Sequence, residues 1–200
     1  MLKISEYKLF SSQQLVLIIE EMSIEQGTFV HIQGGNSVGK TLLLKSLCGQ
    51  YKNFKGKFLY RKKKLSDNNV LLINNSLPVV ENMSFLDNIQ IPLGKINLIQ
   101  RNRLIEMATI LGAVDLLNVE MVYSSRSEKM LMYLIRASLI SPNILMIDDI
   151  DTFFDDVRYE KVYKFIQYCL KSGMMVITTG KTAIDNTPNY LISKGEIKKL

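Results

Sequence analysis

Tryptophan is missing from these 200 residues, histidine occurs only as His31, and the two cysteines, Cys48 and Cys169, are far apart. Lone cysteines on presumed helices argue against a disulfide framework or a thiolate metal cluster and read as buried thiols. No apolar run approaches the ~20 residues that span a bilayer. The start of the chain lacks a basic stretch followed by an apolar segment and a small-residue cleavage site, so the expectation is a cytosolic chain. No internal repeat or low-complexity stretch divides it, and 47% apolar residues suit one compact α/β domain over residues 1–200. The net charge of +6 gathers at Arg61-Lys62-Lys63-Lys64 and Lys198-Lys199. Without interleaved aromatics or a nucleic-acid module this argues against nucleic acid; a solvated hairpin explains the first cluster, and an anionic membrane surface is compatible with it.

What the chain does contain is Gly34-Gly35-Asn36-Ser37-Val38-Gly39-Lys40-Thr41, which fits the phosphate-loop pattern GxxxxGK[ST]. A buried strand is expected over 27–33 and a helix from Leu42 to Cys48, the order this motif needs. Glycines let backbone N–H groups approach phosphate oxygens, and the positive end of the following helix adds to them. The loop and Leu42 form the candidate nucleotide-binding set. Lys40 reaches the β and γ oxygens, and the Thr41 hydroxyl ligates Mg²⁺.

Ahead of the loop, Leu2–Phe10 and Leu15–Ile24 alternate as two strands around a turn at 11–14, and Gly56–Tyr60 adds a third, giving an antiparallel edge sheet. Val70–Ile73 reads as a core strand. Residues 74–122 turn helical, with Ser84 and Asp87 as a capping pair and Gly112 as a stop, so 76–135 reads as a small inserted helical lobe. A longer helix over 125–140 ends at Pro142, a strand over 144–148 follows, and Val162, Phe165, Ile166 and Cys169 mark one helix face. Strands at 174–179 and 190–193, a Lys194-Gly195 turn and a last strand complete a mostly parallel sheet flanked by helices.

The second chemical signal is Ile144-Leu145-Met146-Ile147-Asp148-Asp149, a buried strand delivering two carboxylates. Asp148 is the candidate Mg²⁺ ligand, and Asp149 the candidate catalytic group that orients or deprotonates a water. With these residues in place the chain resembles the ATP-binding subunit of ABC transporters. The match rests on the phosphate loop with Asn36, Arg136-Ala137, Pro142, Asp155 beyond Asp149, and Lys194-Gly195-Glu196-Ile197. Asp87 to Leu93 is similar to a segment of the subgroup serving lipoprotein release, macrolide export and cell-division complexes.

The resemblance implies a P-loop ATPase fold, ATP and Mg²⁺, two nucleotide-binding chains facing head to tail as a homodimer or a heterodimer with a second ABC ATPase, and an integral membrane permease-like partner. It also exposes departures. Ser124-Ser125-Arg126-Ser127-Glu128 stands in place of Leu-Ser-Gly-Gly-Gln, losing both glycines and adding charge, while Ser125 and Glu128 form an ordinary capping box. Asn75, with Asn74 as the alternative, replaces the Mg²⁺-sensing glutamine. Asp149 replaces the glutamate base, and Thr179 the histidine against the γ-phosphate. Phe10, with Tyr7 second, is the candidate aromatic for the base, and His31 reads as packed. The expected function is an ATP-binding subunit on the cytoplasmic face of a membrane, with slow or partner-dependent hydrolysis. The alternatives are a non-catalytic scaffold and, remotely, a small-metabolite kinase, for which Arg101 and Arg103 form the only close arginine pair.

Overall fold

The computed structural model describes residues 1–65, 70–76, 78–153, 156–185 and 187–200, the side chains of 156 and 157 aside. The chain opens with β1 (Leu2–Ser11) and β2 (Gln14–Ile24), paired antiparallel around Ser12 and Gln13. Then come β3 (Phe29–Gly34), α1 (Lys40–Leu47), β4 (Phe54–Tyr60), β5 (Lys63–Lys64) and β6 (Val70–Ile73). Helices α2 (Phe85–Gln90), α3 (Leu98–Leu111) and α4 (Arg126–Ile140) lead to β7 (Ile144–Ile147). The chain ends with α5 (Asp156–Lys171), β8 (Met175–Gly180), β9 (Asn189–Ser193) and β10 (Glu196–Lys199).

Among the described residues these ten strands form one sheet, in the order β5-β4-β1-β2-β10-β9-β3-β8-β7-β6. Its core, β9-β3-β8-β7-β6, is parallel, and β4, β1 and β2 are antiparallel. The edge strands are thus an extension of the core sheet, joined through β10, and not a separate layer. β10 pairs with β9 and meets β2 at Glu196↔Ile18.

Side chains on the core strands alternate between two apolar clusters. In β7, Ile144 and Met146 face α1 and the inner side of β1 and β2, whereas Leu145 and Ile147 face α2 to α5. α5 turns Val162, Phe165, Ile166 and Cys169 into the second cluster, all fully buried, as its helical spacing predicts.

Capping accounts for the helix starts. Ser84–Asp87 and Ser125–Glu128 make capping boxes, as does Asn97–Gln100 on α3. Gly112, at φ 66°, ends α3 in the left-handed region. Residues 78–84 are less helical than the sequence suggests because the buried Asn88 holds them as a loop. Its amide donates to the Val80 and Ser84 carbonyls and accepts from the Val80 N–H. Short 3₁₀ turns, Val114–Leu116 and Met121–Tyr123, replace a longer helix after α3. The basic cluster Arg61–Lys64 is the β4–β5 hairpin, with Arg61 and Lys62 at positive φ. Asp155 lies outside the described residues.

Candidate nucleotide site

β3 delivers Gly34 to the carboxyl edge of the parallel sheet, where ligands of such sheets collect. A Cβ on Gly34 would lie 2.9 Å from the Ile192 carbonyl oxygen and 2.9 Å from Val38 Cγ2. Gly39 caps α1 at φ 100° and lies against Leu9 and Val16, so a side chain there is both strained and crowded. The turn between them leads straight into α1, whose first residues are Lys40 and Thr41.

Lys40 is 6% exposed, and its ammonium donates to the Gly34 and Gly35 carbonyls at 2.8 Å each. Asp149 Oδ1 lies 4.0 Å away. The Thr41 hydroxyl donates to Asp148 Oδ2 at 2.8 Å. Two hard oxygen donors, a hydroxyl and a carboxylate, therefore converge on one point beside the loop, which fits Mg²⁺. Among the described residues no cluster of three or more His, Cys, Asp or Glu stands ready for a metal. Thr41 and Asp148 are the two residues that would hold such an ion, whose chemistry would be to neutralise phosphate charge.

A cavity of about 310 Å³ opens over the loop, lined by Ser11, Val16, Asn36, Ser37, Gly39, Lys40, Thr41, Leu42 and Asp149. Gly34, Gly35 and Val38 belong to the same loop but not to this lining, and Asp148, 5% exposed, is reached through its hydrogen bond from Thr41. Burial and the Asp148 carboxylate push Asp149 above the ordinary carboxylate range, with Lys40 opposing them.

Other predicted residues lie elsewhere. Phe10 is half-buried beside the cavity, and its carbonyl accepts from the Tyr51 hydroxyl. The lining positions there are Ser11 and Val16. Neither stands out in the sequence, since only the fold of β1–β2 over Gly39 brings them near. Tyr7 is fully buried, donates to Ser46 and packs on Phe54 and Phe58, which removes it as a base contact.

Asn75 is exposed, and its Oδ1 accepts from Arg126 Nε at 3.1 Å; it lines a separate hollow with Arg126 and Phe153 and not the cavity over the loop, and the Arg126 guanidinium also lies over the Phe153 ring. Asn74 spends its Oδ1 on the Ser76 N–H. Thr179 does not face the loop; it is fully buried between the two aspartates. Arg103 spends its guanidinium on the Ser138 carbonyl and the Ser141 hydroxyl, which takes away half of the lid expected of a kinase.

A larger hollow of about 970 Å³ lies beyond Gly180, lined in part by His31, Asp151, Tyr159 and Thr182. It lacks loop amides, so size does not mark the site. His31 is 1% exposed and bridges the Thr178 hydroxyl and the Thr182 carbonyl. A carbonyl only accepts, so Nε2 carries a proton, and burial lowers the imidazole pKa.

Strand, phosphate loop and helix, with a carboxylate-ended strand beneath them, define the phosphate-loop nucleotide-binding class. The model of the ABC transporter family matches residues 20–152, well over half of the chain, and the chain belongs to that family. It is 28% identical over 169 residues to the zinc import ATP-binding protein ZnuC of Ehrlichia ruminantium (strain Gardel), covering 81% of this chain. It spans only 66% of that relative's length. HrtA of Staphylococcus aureus (strain Newman), an ATP-binding protein assigned to hemin import, is 26% identical over 178 residues, covering 82% of this chain and 80% of HrtA. An ATP-binding protein of Pyrococcus furiosus assigned to an ABC transporter superposes with TM-score 0.84 at 23% identity, covering 96% of each chain. cbiO1 of Clostridium perfringens, part of the transporter complex cbiONQ, gives 0.81 at 19% identity, covering 98% of this chain and 86% of cbiO1.

Proposed function

We propose that this chain is the ATP-binding subunit of an ABC-type membrane complex. Its loop amides and Lys40 hold the phosphates of ATP, Thr41 and Asp148 hold Mg²⁺, and Asp149 faces the attacking water. The ion supplies charge neutralisation of the phosphate oxygens. The observation that carries the reading is the meeting of Thr41 and Asp148 at 2.8 Å beside the Lys40 ammonium. Family membership and the ATP-binding relatives support it.

The partner is an integral membrane protein that holds this chain at the cytoplasmic face. Among the described residues no helix is long and apolar enough to cross a membrane. Within the helical lobe over 76–135, the stretch 76–93 in particular receives the partner's cytoplasmic segment, and the single nucleotide-binding unit works in a pair, with its own copy or with a second ABC ATPase. Turnover by this chain alone is slow. Asn75 is tied to Arg126, Thr179 is spent on the aspartates, and Glu128 puts a carboxylate at the start of α4. Losing groups of this kind commonly costs orders of magnitude in rate.

Binding of a fluorescent ATP analogue tests the site: the wild type binds with Mg²⁺, and Lys40→Ala weakens binding at least ~10-fold, about the loss of one charge-assisted phosphate contact. Brisk, Lys40-dependent hydrolysis by the isolated chain overturns the slow-turnover reading. Affinity purification from native membranes identifies the membrane partner and any second ATPase. The commitment of Thr179 to structure also favours a scaffold whose nucleotide only sets conformation. Lys40→Ala that loses ATP yet keeps assembly and cellular function supports that second reading.

A further inference from the structure

We infer that Thr179 is a positioning residue of the magnesium site, fixing Asp148 from behind so that one carboxylate oxygen is left for the ion. The inference rests on the Mg²⁺–ATP reading above. β7 and β8 pair in parallel as far as Ile147↔Thr178, so the next residues, Asp148 and Thr179, stand side by side at the carboxyl edge. Thr179 is fully buried, and its Oγ1 donates to Asp148 Oδ1 at 2.7 Å while accepting from the Asp149 N–H at 2.8 Å. A hydroxyl has one proton, and this one is committed to Asp148.

The division of labour follows from which oxygen each partner takes. Thr179 holds Oδ1, and Thr41 meets Oδ2 at 2.8 Å, so the carboxylate plane is anchored on one side and presents its other oxygen to the loop. Unanchored, that carboxylate turns about its terminal torsion, which is broad. The second bond fixes the peptide joining the two aspartates. Asp149 sits at φ 48°, ψ 52°, a left-handed conformation in which its Cβ crowds the following carbonyl oxygen. The Thr179 oxygen accepting its N–H, with the Thr152 N–H and hydroxyl on its carbonyl, holds that turn in place. A side chain that sequence position alone would aim at a phosphate therefore acts one step behind the metal ligand.

The test is nucleotide binding as a function of Mg²⁺. A fluorescent ATP analogue is titrated against wild type, Thr179→Val, Thr179→Ser and Thr179→Ala, in EDTA and across a Mg²⁺ series. Thr179→Val keeps the shape and removes both bonds, so the Mg²⁺ concentration for half-maximal binding rises by roughly 10- to 100-fold, the usual loss for a partner behind a metal ligand. Affinity in EDTA stays within about twofold, and Thr179→Ser restores the wild-type curve because its hydroxyl keeps the same donor and acceptor. If the valine variant does not fold, the alanine variant is read the same way. An unchanged Mg²⁺ curve, or equal weakening with and without Mg²⁺, overturns the inference while leaving the ATP reading intact. Wild type that binds no nucleotide overturns both.

Discussion

Asp149 carries its carboxylate on backbone that most residues avoid, and burial with the neighbouring Asp148 raises its pKa despite Lys40. Folding therefore disfavours the ionised carboxylate relative to the unfolded chain. The group's stabilising share is fully present below the ordinary carboxylate pKa and lost as pH rises through the higher folded value. Asp149→Asn removes that penalty, so its melting temperature exceeds the wild type's at neutral pH and the gain vanishes in acid; thermal melts at several pH values read this. The phosphate loop and both aspartates were legible from sequence because each lies in a contiguous motif. Asn75 and Thr179 were not. Thr41 and Asp148 are 107 positions apart and Thr179 is 31 from Asp148, so only the strand register says which oxygen each hydroxyl takes.

Helix α4 shows how a local signal and a site departure share residues. Ser125 caps it, with Glu128 completing the box, and the side chain of Arg126 leans over Phe153 at 5.0 Å and reaches Asn75. Hydrogen bonds from Ser125 lower the Glu128 pKa, so its share of stability is present above the ordinary glutamate pKa and lost as pH falls through the lower folded value. Ser125→Ala costs ~1 kcal/mol, the typical worth of a cap, and lowers the melting temperature by about 2–4 °C at neutral pH. That difference narrows in acid.

The β4–β5 turn gives the opposite sign. Arg61 and Lys62 both sit at positive φ between paired strands, where Asn-Gly is the favoured pair. Arg61→Asn with Lys62→Gly raises stability by about 1 kcal/mol in urea unfolding. Caps at Ser84 and Ser125 were readable three residues at a time. Asn97–Gln100 carries the same signal, while the long loop before α2 depends on the through-space bonds of Asn88.

Across the molecule the question is what keeps the antiparallel strands on the parallel core. Strand alternation predicted both parts, but not that β10 would lie between β2 and β9, because that neighbour relation joins the two ends of the chain. Hydrogen bonding at the junction is thin: Glu196↔Ile18 and the Ile18 N–H to the Gly195 carbonyl at 2.7 Å. Each such bond contributes about 0.5–1.5 kcal/mol net. Packing is heavier, since Leu43 and Leu44 of α1 are fully buried in one cluster with Leu2, Ile4, Leu9, Leu17 and Ile19. A buried leucine contributes about 1.5–3 kcal/mol by transfer alone, so α1, and not the strand junction, holds the sheet's two parts together. Leu44→Ala then costs ~2–5 kcal/mol, and deletion of residues 196–200 costs less. Because Leu9 and Val16 lie against Gly39, the same leucine change weakens nucleotide binding through the loop. Urea unfolding followed by amide exchange checks this. One transition is expected, with β1 and core β8 losing protection together in the Leu44 variant. Separate transitions, with the edge strands opening first in the deletion variant, would place the weight on β10 instead.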